Sequence, residues 1–454
     1  MHLTVINPSS SSVQTDFTVI VTGSNITGVG PSSSTAIPPG AKIIDATGKF
    51  LIPGLADMHL HLTGAGEPSG SREFILPLLL ANGITTVRDM GGNVTLLKQL
   101  REEINSGKRL GPQIFFTGPY LDGDPPSFQP SIVIHDDAEA ARTVQQLKSA
   151  GVDFIKVQSR LQPSVYFAIA RASKKMGVRF VGHVPDSLTV AEASEAGQAS
   201  VEHLTGVLLG CSSREIELRD RQLMPAPPGE TLLEKRARQR TWQKDLLDSY
   251  SKEKAADLFR KFVAKGTVQV PTLPLLFHIP FLLPHTARLQ STEEKYLPQD
   301  LRAIWKRSLA ESLAGLTEED VQIRAQLMQR SLSTVKGMHS AGVPILAGTD
   351  TTAPGVFPGF ALHEDLFFLW EAGLTPMQTL RAATAAPAEF LGLSSRQGSI
   401  TAGQRADLVL LNASPLDDIR NVREIRAVFL KGQFLDRSTL DSLLQSAQSF
   451  AVNH

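Results

Sequence analysis

Phe50-Leu51-Ile52-Pro53-Gly54-Leu55-Ala56-Asp57-Met58-His59-Leu60-His61 is an apolar run that ends in two histidines one residue apart. In a strand, residues two apart point to the same side. The two imidazoles therefore leave one strand end together, spaced to chelate a single divalent cation. Lys156, His183, His203 and Asp350 follow, each at the far end of its own apolar run. Strands are read near 54–61, 84–89, 113–117, 152–157, 178–183, 199–203, 267–271 and 343–349. Helical stretches such as Ala138 to Ala150 and Ser164 to Met176 separate most of them. Glycine recurs at the helix-to-strand turns, in Asn82-Gly83-Ile84, Ala150-Gly151-Val152 and Ala341-Gly342-Val343, where it suits a left-handed helix C-cap. Eight strand–helix units predict an α/β fold of the closed (β/α)8, TIM-like barrel type over 54–400. No dinucleotide or P-loop glycine pattern supports an open doubly wound sheet.

Outside the barrel, the texture changes. Leu3-Thr4-Val5-Ile6, Phe17 to Val21 and Lys42 to Asp45 are short β-rich runs between Ser, Gly and Pro clusters. The same texture returns in Ala406 to Leu411 and Ile425 to Gly432. Residues 1–53 and 401–435 are thus expected to build one small β-sandwich domain from both termini. Residues 436–454 read as a helical tail that frays. Two connections, 204–266 and 272–342, are too long to be simple turns. Both must rise from the C-terminal face of the strands, where barrel enzymes place their sites, and are read as helical lids that define the pocket.

Composition excludes several classes. Lys+Arg equals Asp+Glu at 45 each, so no global field draws in nucleic acid or an anionic membrane. The single cysteine, Cys211, excludes an intramolecular disulfide framework and a thiolate metal cluster. No apolar run approaches the roughly 18 residues of a membrane span. The N-terminus has no basic segment followed by an apolar stretch. Cytoplasm is the default location, while a secreted or periplasmic protein whose signal had been removed would read the same way.

The six residues His59, His61, Lys156, His183, His203 and Asp350 fall on strands one, four, five, six and eight, all at C-terminal ends. Taken singly, each has an ordinary structural reading: a hydrogen-bonded histidine, a snorkelling lysine, a helix-capping aspartate. Taken together on five strand ends, they state metal-assisted hydrolysis. Imidazole and carboxylate suit zinc and other borderline divalent ions. A buried ammonium beside cations is poorly solvated and repelled, which lowers its pKa. A neutral Lys156 amine can then take up carbon dioxide, and the resulting carbamate has two oxygens with which to bridge two metals.

On these motifs the chain resembles the metal-dependent amidohydrolase superfamily. The resemblance rests on Phe50 to His61, the strand-four lysine, Gly182-His183, Val201-Glu202-His203 and Gly348-Thr349-Asp350. It continues through Ala372-Gly373-Leu374-Thr375-Pro376, Ala382-Ala383-Thr384, Gly398-Ser399-Ile400 and Gly403 to Val409. It implies a barrel with an attached β-sandwich and a binuclear centre bridged by carboxylated lysine. His59, His61 and Asp350 would hold one metal, His183 and His203 the other, with Lys156 between them. The chain is most similar to the imidazolonepropionase-like and prolidase-like branch. Imidazolonepropionase itself lacks the bridging lysine and works with one metal, so Lys156 argues against that activity.

The expected mechanism is attack by a metal-bridging hydroxide, with Asp350 accepting its proton and passing it to the amine leaving group. The expected function is hydrolysis of an amide bond in a small molecule, a dipeptide or an N-acyl amino acid. The alternative is a cyclic-amide, lactone or ester hydrolase using the same two zinc-type ions, and the remote alternative is a non-catalytic scaffold, which would have lost ligands. Tyr120, His135 and His278 are candidate substrate contacts, and the apolar stretch 273–283 is a candidate pocket wall. Arg88-Asp89 reads as an internal ion pair, His363 as a helix residue after strand eight, and Cys211 as inert. The partner is a small-molecule substrate. Homo-oligomers are frequent among such barrels, though no seam is visible in the sequence.

Overall fold

Strand Phe50–Pro53, the first third of the diagnostic stretch, splices the two ends of the chain into one sheet. The computed structural model describes residues 1–63, 70–129, 131–278 and 291–454, without the side chains of Phe277 and His278. Phe50–Pro53 pairs in parallel with Leu3–Asn7 and antiparallel with Leu408–Leu411. Ser12–Thr22 and Asn25–Pro31 extend the sheet on one side, and Ile425–Leu430 and Gln433–Asp436 on the other, for seven strands.

Alternation explains why this sheet stays single. Leu51, Leu408, Leu410 and Ala427 face a small core of the sheet's own, with Leu3, Val5 and Ile26. Ile52, Val409, Leu411 and Val428, one residue out of phase, face the main core. Both faces are therefore used. In place of two separately hydrogen-bonded sheets, the terminal β-region is one continuous ladder with its outer face laid on the rest of the molecule.

The remaining strands are parallel. Leu55–Leu60, Ile84–Asp89 and Gln113–Phe116 form one sheet. Phe154–Val157, Arg179–Gly182, Ser200–Glu202 and Val268–Val270 form another, extended beyond Phe154–Val157 by Tyr120–Asp122 and Ser131–Val133. Asp153 N donates to Phe116 O at 2.9 Å, joining one pair of edges. At the other pair, Leu346 N donates to Gln269 O at 2.9 Å and Met58 N to Ala347 O at 3.0 Å. The expected eighth strand is thus an extended segment held by single bridges such as Gln269 to Ile345. Its ladder stops because Thr349 N and Asp350 N both turn onto the His59 carbonyl, with Asp350 at φ +63°. Met58, Met90, Phe154, Val181, Val270 and Leu346 pack together between these strands.

Both long connections are helical. The first holds Glu215–Leu223, Leu232–Asp248 and Lys252–Lys265; the second holds Leu273–His278, Gln299–Leu313 and Glu318–Ser340. Thr231 with Glu234 and Thr317 with Asp320 close capping boxes at two of these starts. Arg240 ties the connections to each other through Asp320 at 3.0 Å. The terminal helix Arg437–Asn453 is docked along its length. Leu440, Ala447 and Ala451 are buried, and Phe450 stacks on Phe74 at 5.9 Å between centroids. Among the described residues no helix is long and apolar enough to cross a membrane.

Candidate metal centre

Leu60 is buried in the main core, and the two histidines flanking it turn the other way. This alternation brings His59 and His61 to one point. Asp350 meets them there: its Oδ1 lies 3.0 Å from His61 Nε2 and 3.3 Å from His59 Nε2. One donor atom from each of these residues lies within 4.8 Å of the others. His203 Nε2 stands 4.0 Å from Asp350 Oδ2, and the His203 ring lies 4.5 Å from that of His59 and 4.9 Å from that of His183.

All four imidazoles are anchored through the same atom. Nδ1 of His59 faces Glu202 Oε2 at 2.8 Å, and Nδ1 of His61 faces the Gly91 carbonyl at 3.2 Å. Nδ1 of His203 faces Thr272 Oγ1 at 2.7 Å, and Nδ1 of His183 faces Ser159 Oγ at 3.1 Å. The carboxylate and carbonyl can only accept, so His59 and His61 each carry a proton on Nδ1 and turn Nε2 toward Asp350, whose carboxylate raises the His61 pKa against the effect of burial. Thr272 Oγ1 donates to Pro271 O, so it accepts from His203 and leaves that Nε2 free. His59 Nε2 is buried and has no hydrogen-bond donor. That orphaned Nε2 converges with the His61 Nε2 and an Asp350 carboxylate oxygen, so the donor set fits a metal ion.

The electrostatics follow from burial and proximity. Burial opposes the charge on Asp350, and any positive charge on the imidazoles beside it, His203 and His59 first, would hold its carboxyl well below the usual range. Burial, with Lys156 close by, pushes His183 well below its ordinary value, and burial also lowers His203 to about 3. Both therefore stay neutral, the form in which imidazole binds metals. Lys156 is buried and lowered to about 8 by desolvation, against the pull of Glu202 and Asp350. Gly182 permits its approach: at φ +128°, a Cβ there would fall 2.3 Å from Val157 O and 3.0 Å from Lys156 Cδ.

A cavity of about 600 Å³ opens over these groups, lined by His59, His61, Lys156, His183, His203 and Asp350 together with Tyr120, Gln158, Leu275 and Ser308. Tyr120 lies in a short strand paired with Lys156, where a loop was expected, and its hydroxyl is 3.4 Å from His61 Nδ1. Gly91 makes room for that ring, because a Cβ would meet it at 2.1 Å. His135 is not in the cavity. It is exposed ahead of the helix Asp137–Ala150, its backbone N–H bonded to Glu139. The His278 side chain and residues 279–283 of the expected pocket wall lie outside the described residues.

Arg88 and Asp89 do not pair with each other. Neighbours on a strand face opposite ways, so Arg88 bonds Glu202 at 3.0 and 3.1 Å while Asp89 accepts from Leu62 N and Gly91 N. His363 is buried on the helix Phe360–Glu371 and bonded to Asn82 O at 2.9 Å, away from the cavity. Cys211 is buried, and burial pushes its thiol up to about 12. Sequence reading did not single out Asp57, which accepts from Thr349 Oγ1 at 2.7 Å and His59 N at 3.1 Å and is raised by burial to about 7. It also missed Glu202, Ser159 and Thr272 as histidine anchors. Alternation along the strand would have sent Glu202 away from His203; both reach the centre because His203 lies past the end of Ser200–Glu202, at φ +57°.

The sequence profile described as "Amidohydrolase family" matches residues 50–233 and 295–435. An imidazolonepropionase from Pseudomonas aeruginosa (strain LESB58) is 23% identical over 435 residues, covering 90% of each chain. An ochratoxinase from Aspergillus niger is 34% identical over 128 residues, 28% of this chain and 26% of that one. Among solved structures, a bottromycin amidohydrolase superposes with TM-score 0.77 at 23% identity, covering 99% of this chain and 89% of the other. A Xaa-Pro dipeptidase with bound methionine superposes with TM-score 0.67 at 20% identity, covering 95% and 98%. With more than half of its length matched by the family profile, the chain belongs to the amidohydrolase family and is a hydrolase acting on carbon–nitrogen bonds.

Proposed function

We propose that this protein hydrolyses an amide bond of a small molecule, a dipeptide or an N-acyl amino acid, with two divalent ions held at the mouth of a (β/α)8 barrel. The observation that carries the reading is the convergence of His59, His61 and His203, each anchored through Nδ1, on the Asp350 carboxylate. Barrel closure is supported by the hydrogen bonds that join Phe116 to Asp153, Gln269 to Leu346 and Met58 to Ala347. In the same reading, 1–53 and 401–435 are the attached sheet domain and 436–454 a docked helix.

His59, His61 and Asp350 would hold one ion, His183 and His203 the other, and Lys156, as its carbamate, would lie between them. When bound, such ions, zinc first among the candidates, acidify water and polarise an amide carbonyl. Asp350 then accepts the proton of the attacking water and delivers it to the leaving amine, without which an amine is a poor leaving group. Its carboxyl is ionised, the form a proton acceptor requires. Tyr120, on the cavity wall beside His61, would orient the substrate carbonyl or carboxylate.

The test is turnover by the purified, metal-quantified protein on Xaa-Pro, Xaa-Arg and hydrophobic dipeptides, N-acyl amino acids and simple lactones. The reading expects one acyclic amide class to be cleaved, with about two metals per chain and loss of activity in chelator. Two metals without amide turnover would move the assignment to cyclic amides, lactones or esters, in line with the imidazolonepropionase similarity over 90% of the chain.

A further inference from the structure

A second cavity of about 450 Å³ shares His203 and Thr205 with the first and lies between the two helical connections. Its wall is apolar: Leu209, Trp242 and Leu246 from the first connection face Leu276, Leu327 and Met328 from the second. The Trp242 indole N–H is already bonded to Leu218 O at 2.9 Å, so the ring offers only its apolar face. Among this lining is one cation, Arg324, on the helix Glu318–Ser340. Its guanidinium is half-buried and makes no hydrogen bond or ion pair among the described residues. Asp320, one turn away, is taken by Arg240 at 3.0 and 3.1 Å and by Thr317. Arg236 nearby adds positive potential and is itself bonded to the carbonyls of Glu311, Ser312 and Ala314. The lining carboxylate, Asp186, is bonded by the Gln222 amide at 3.1 Å.

We infer that this cavity is the specificity subsite of the enzyme, taking the half of the substrate that carries a bulky apolar group and an anionic end, with Arg324 as the anion's partner. The inference rests on the amide-hydrolase reading only for the identity of the scissile bond. His203 and Thr205 line both cavities, so a molecule lodged in this one lies against a metal-centre histidine. An apolar wall binds by area removed from water. A half-buried cation in such a wall, with Asp320 already engaged by Arg240, gains from a charge-assisted bond to an entering anion, so the pocket favours a carboxylate over a neutral analogue. An N-acyl amino acid with a large aromatic or aliphatic side chain has this chemistry, and a small neutral lactone does not.

The experiment is calorimetric titration of the metal-loaded protein with phenylbutyrate and with phenylbutanol, neither of which contains an amide. Arg324→Gln should weaken phenylbutyrate at least about tenfold, the loss expected for one charge-assisted hydrogen bond. Phenylbutanol should change less than about twofold, which also reports that the variant is folded. Arg324→Lys should recover part of the phenylbutyrate affinity, and Leu327→Trp, which fills the cavity, should weaken both probes. Equal effects of Arg324→Gln on the two probes, or none on either, would overturn the subsite. Arg324-dependent binding with no turnover of any amide would sink the amide reading and leave the subsite standing. Amide turnover with phenylbutyrate indifferent to Arg324 would do the reverse.

Discussion

Replacing Glu202 by Gln should destabilise the protein and loosen its metal centre together. Glu202 is fully buried and holds three partners: His59 Nδ1 at 2.8 Å, Arg88 Nη2 at 3.0 and 3.1 Å, and Ser200 Oγ. Arg88 is equally buried, its other bonds going to Met58 O at 2.6 Å and Ser200 Oγ at 3.1 Å. A Gln amide has one acceptor oxygen. If it faces His59, its NH₂ meets the Arg88 guanidinium, donor against donor. If it faces Arg88, His59 loses the acceptor that fixes its tautomer. Either way, Arg88 keeps an uncompensated buried charge, a loss of about 3–5 kcal/mol. Typical total stability is only about 5–15 kcal/mol, so the effect is large. Metal affinity should fall about 10–100-fold, as for other lost partners of metal-binding histidines.

The assay is urea unfolding in chelator, followed by zinc titration. Burial alone would raise the Glu202 pKa, but Arg88 and the His59 bond outweigh it and hold the carboxyl below its usual range. A depressed folded pKa gives stability that is present above the unfolded value, about 4.3, and lost as pH falls through the folded one. Wild type should therefore lose stability steeply below about pH 4.3, and Glu202→Gln less steeply. The double variant Arg88→Met, Glu202→Leu should be milder than Glu202→Gln alone, because no lone charge remains. A Glu202→Gln loss under about 1 kcal/mol, smaller than a typical buried-pair rupture, would refute the reasoning.

Lys156→Ala should lose the second metal equivalent and reduce turnover by orders of magnitude; full metal loading of the variant would reject the carbamate. In metal-free, carbon dioxide-free buffer, the lowered Lys156 pKa means that the unfolded chain binds the extra proton between about 8 and 10.5. Stability should then rise with pH across that window by on the order of 3 kcal/mol, a slope that Lys156→Met should abolish. Asp350→Asn should keep the fold by circular dichroism while turnover falls about 10²- to 10⁴-fold; an unchanged rate would count against its role as base. Leu440→Ala, at a fully buried position of the terminal helix, should lower unfolding stability by about 2–5 kcal/mol, whereas a fraying tail would lose nothing.

The sequence by itself determined the periodic features. His59 and His61 had to emerge together because strand side chains alternate, and the apolar runs before Lys156, His183, His203 and Asp350 marked each as the end of an extended segment. It also announced two β-rich termini and two helical connections of the length needed to build a pocket. Tertiary structure decided what each side chain meets across the strands. Arg88 finds Glu202 and not its neighbour Asp89, His135 stays outside, Tyr120 joins a strand beside Lys156, and Glu202, Thr272 and Ser159 fix the imidazoles. Periodicity says which way a residue points along its own element. Partners such as Glu202 and His59, which stand 143 positions apart, become neighbours only when separate strands are brought side by side, and that register comes from core packing spread over the whole chain.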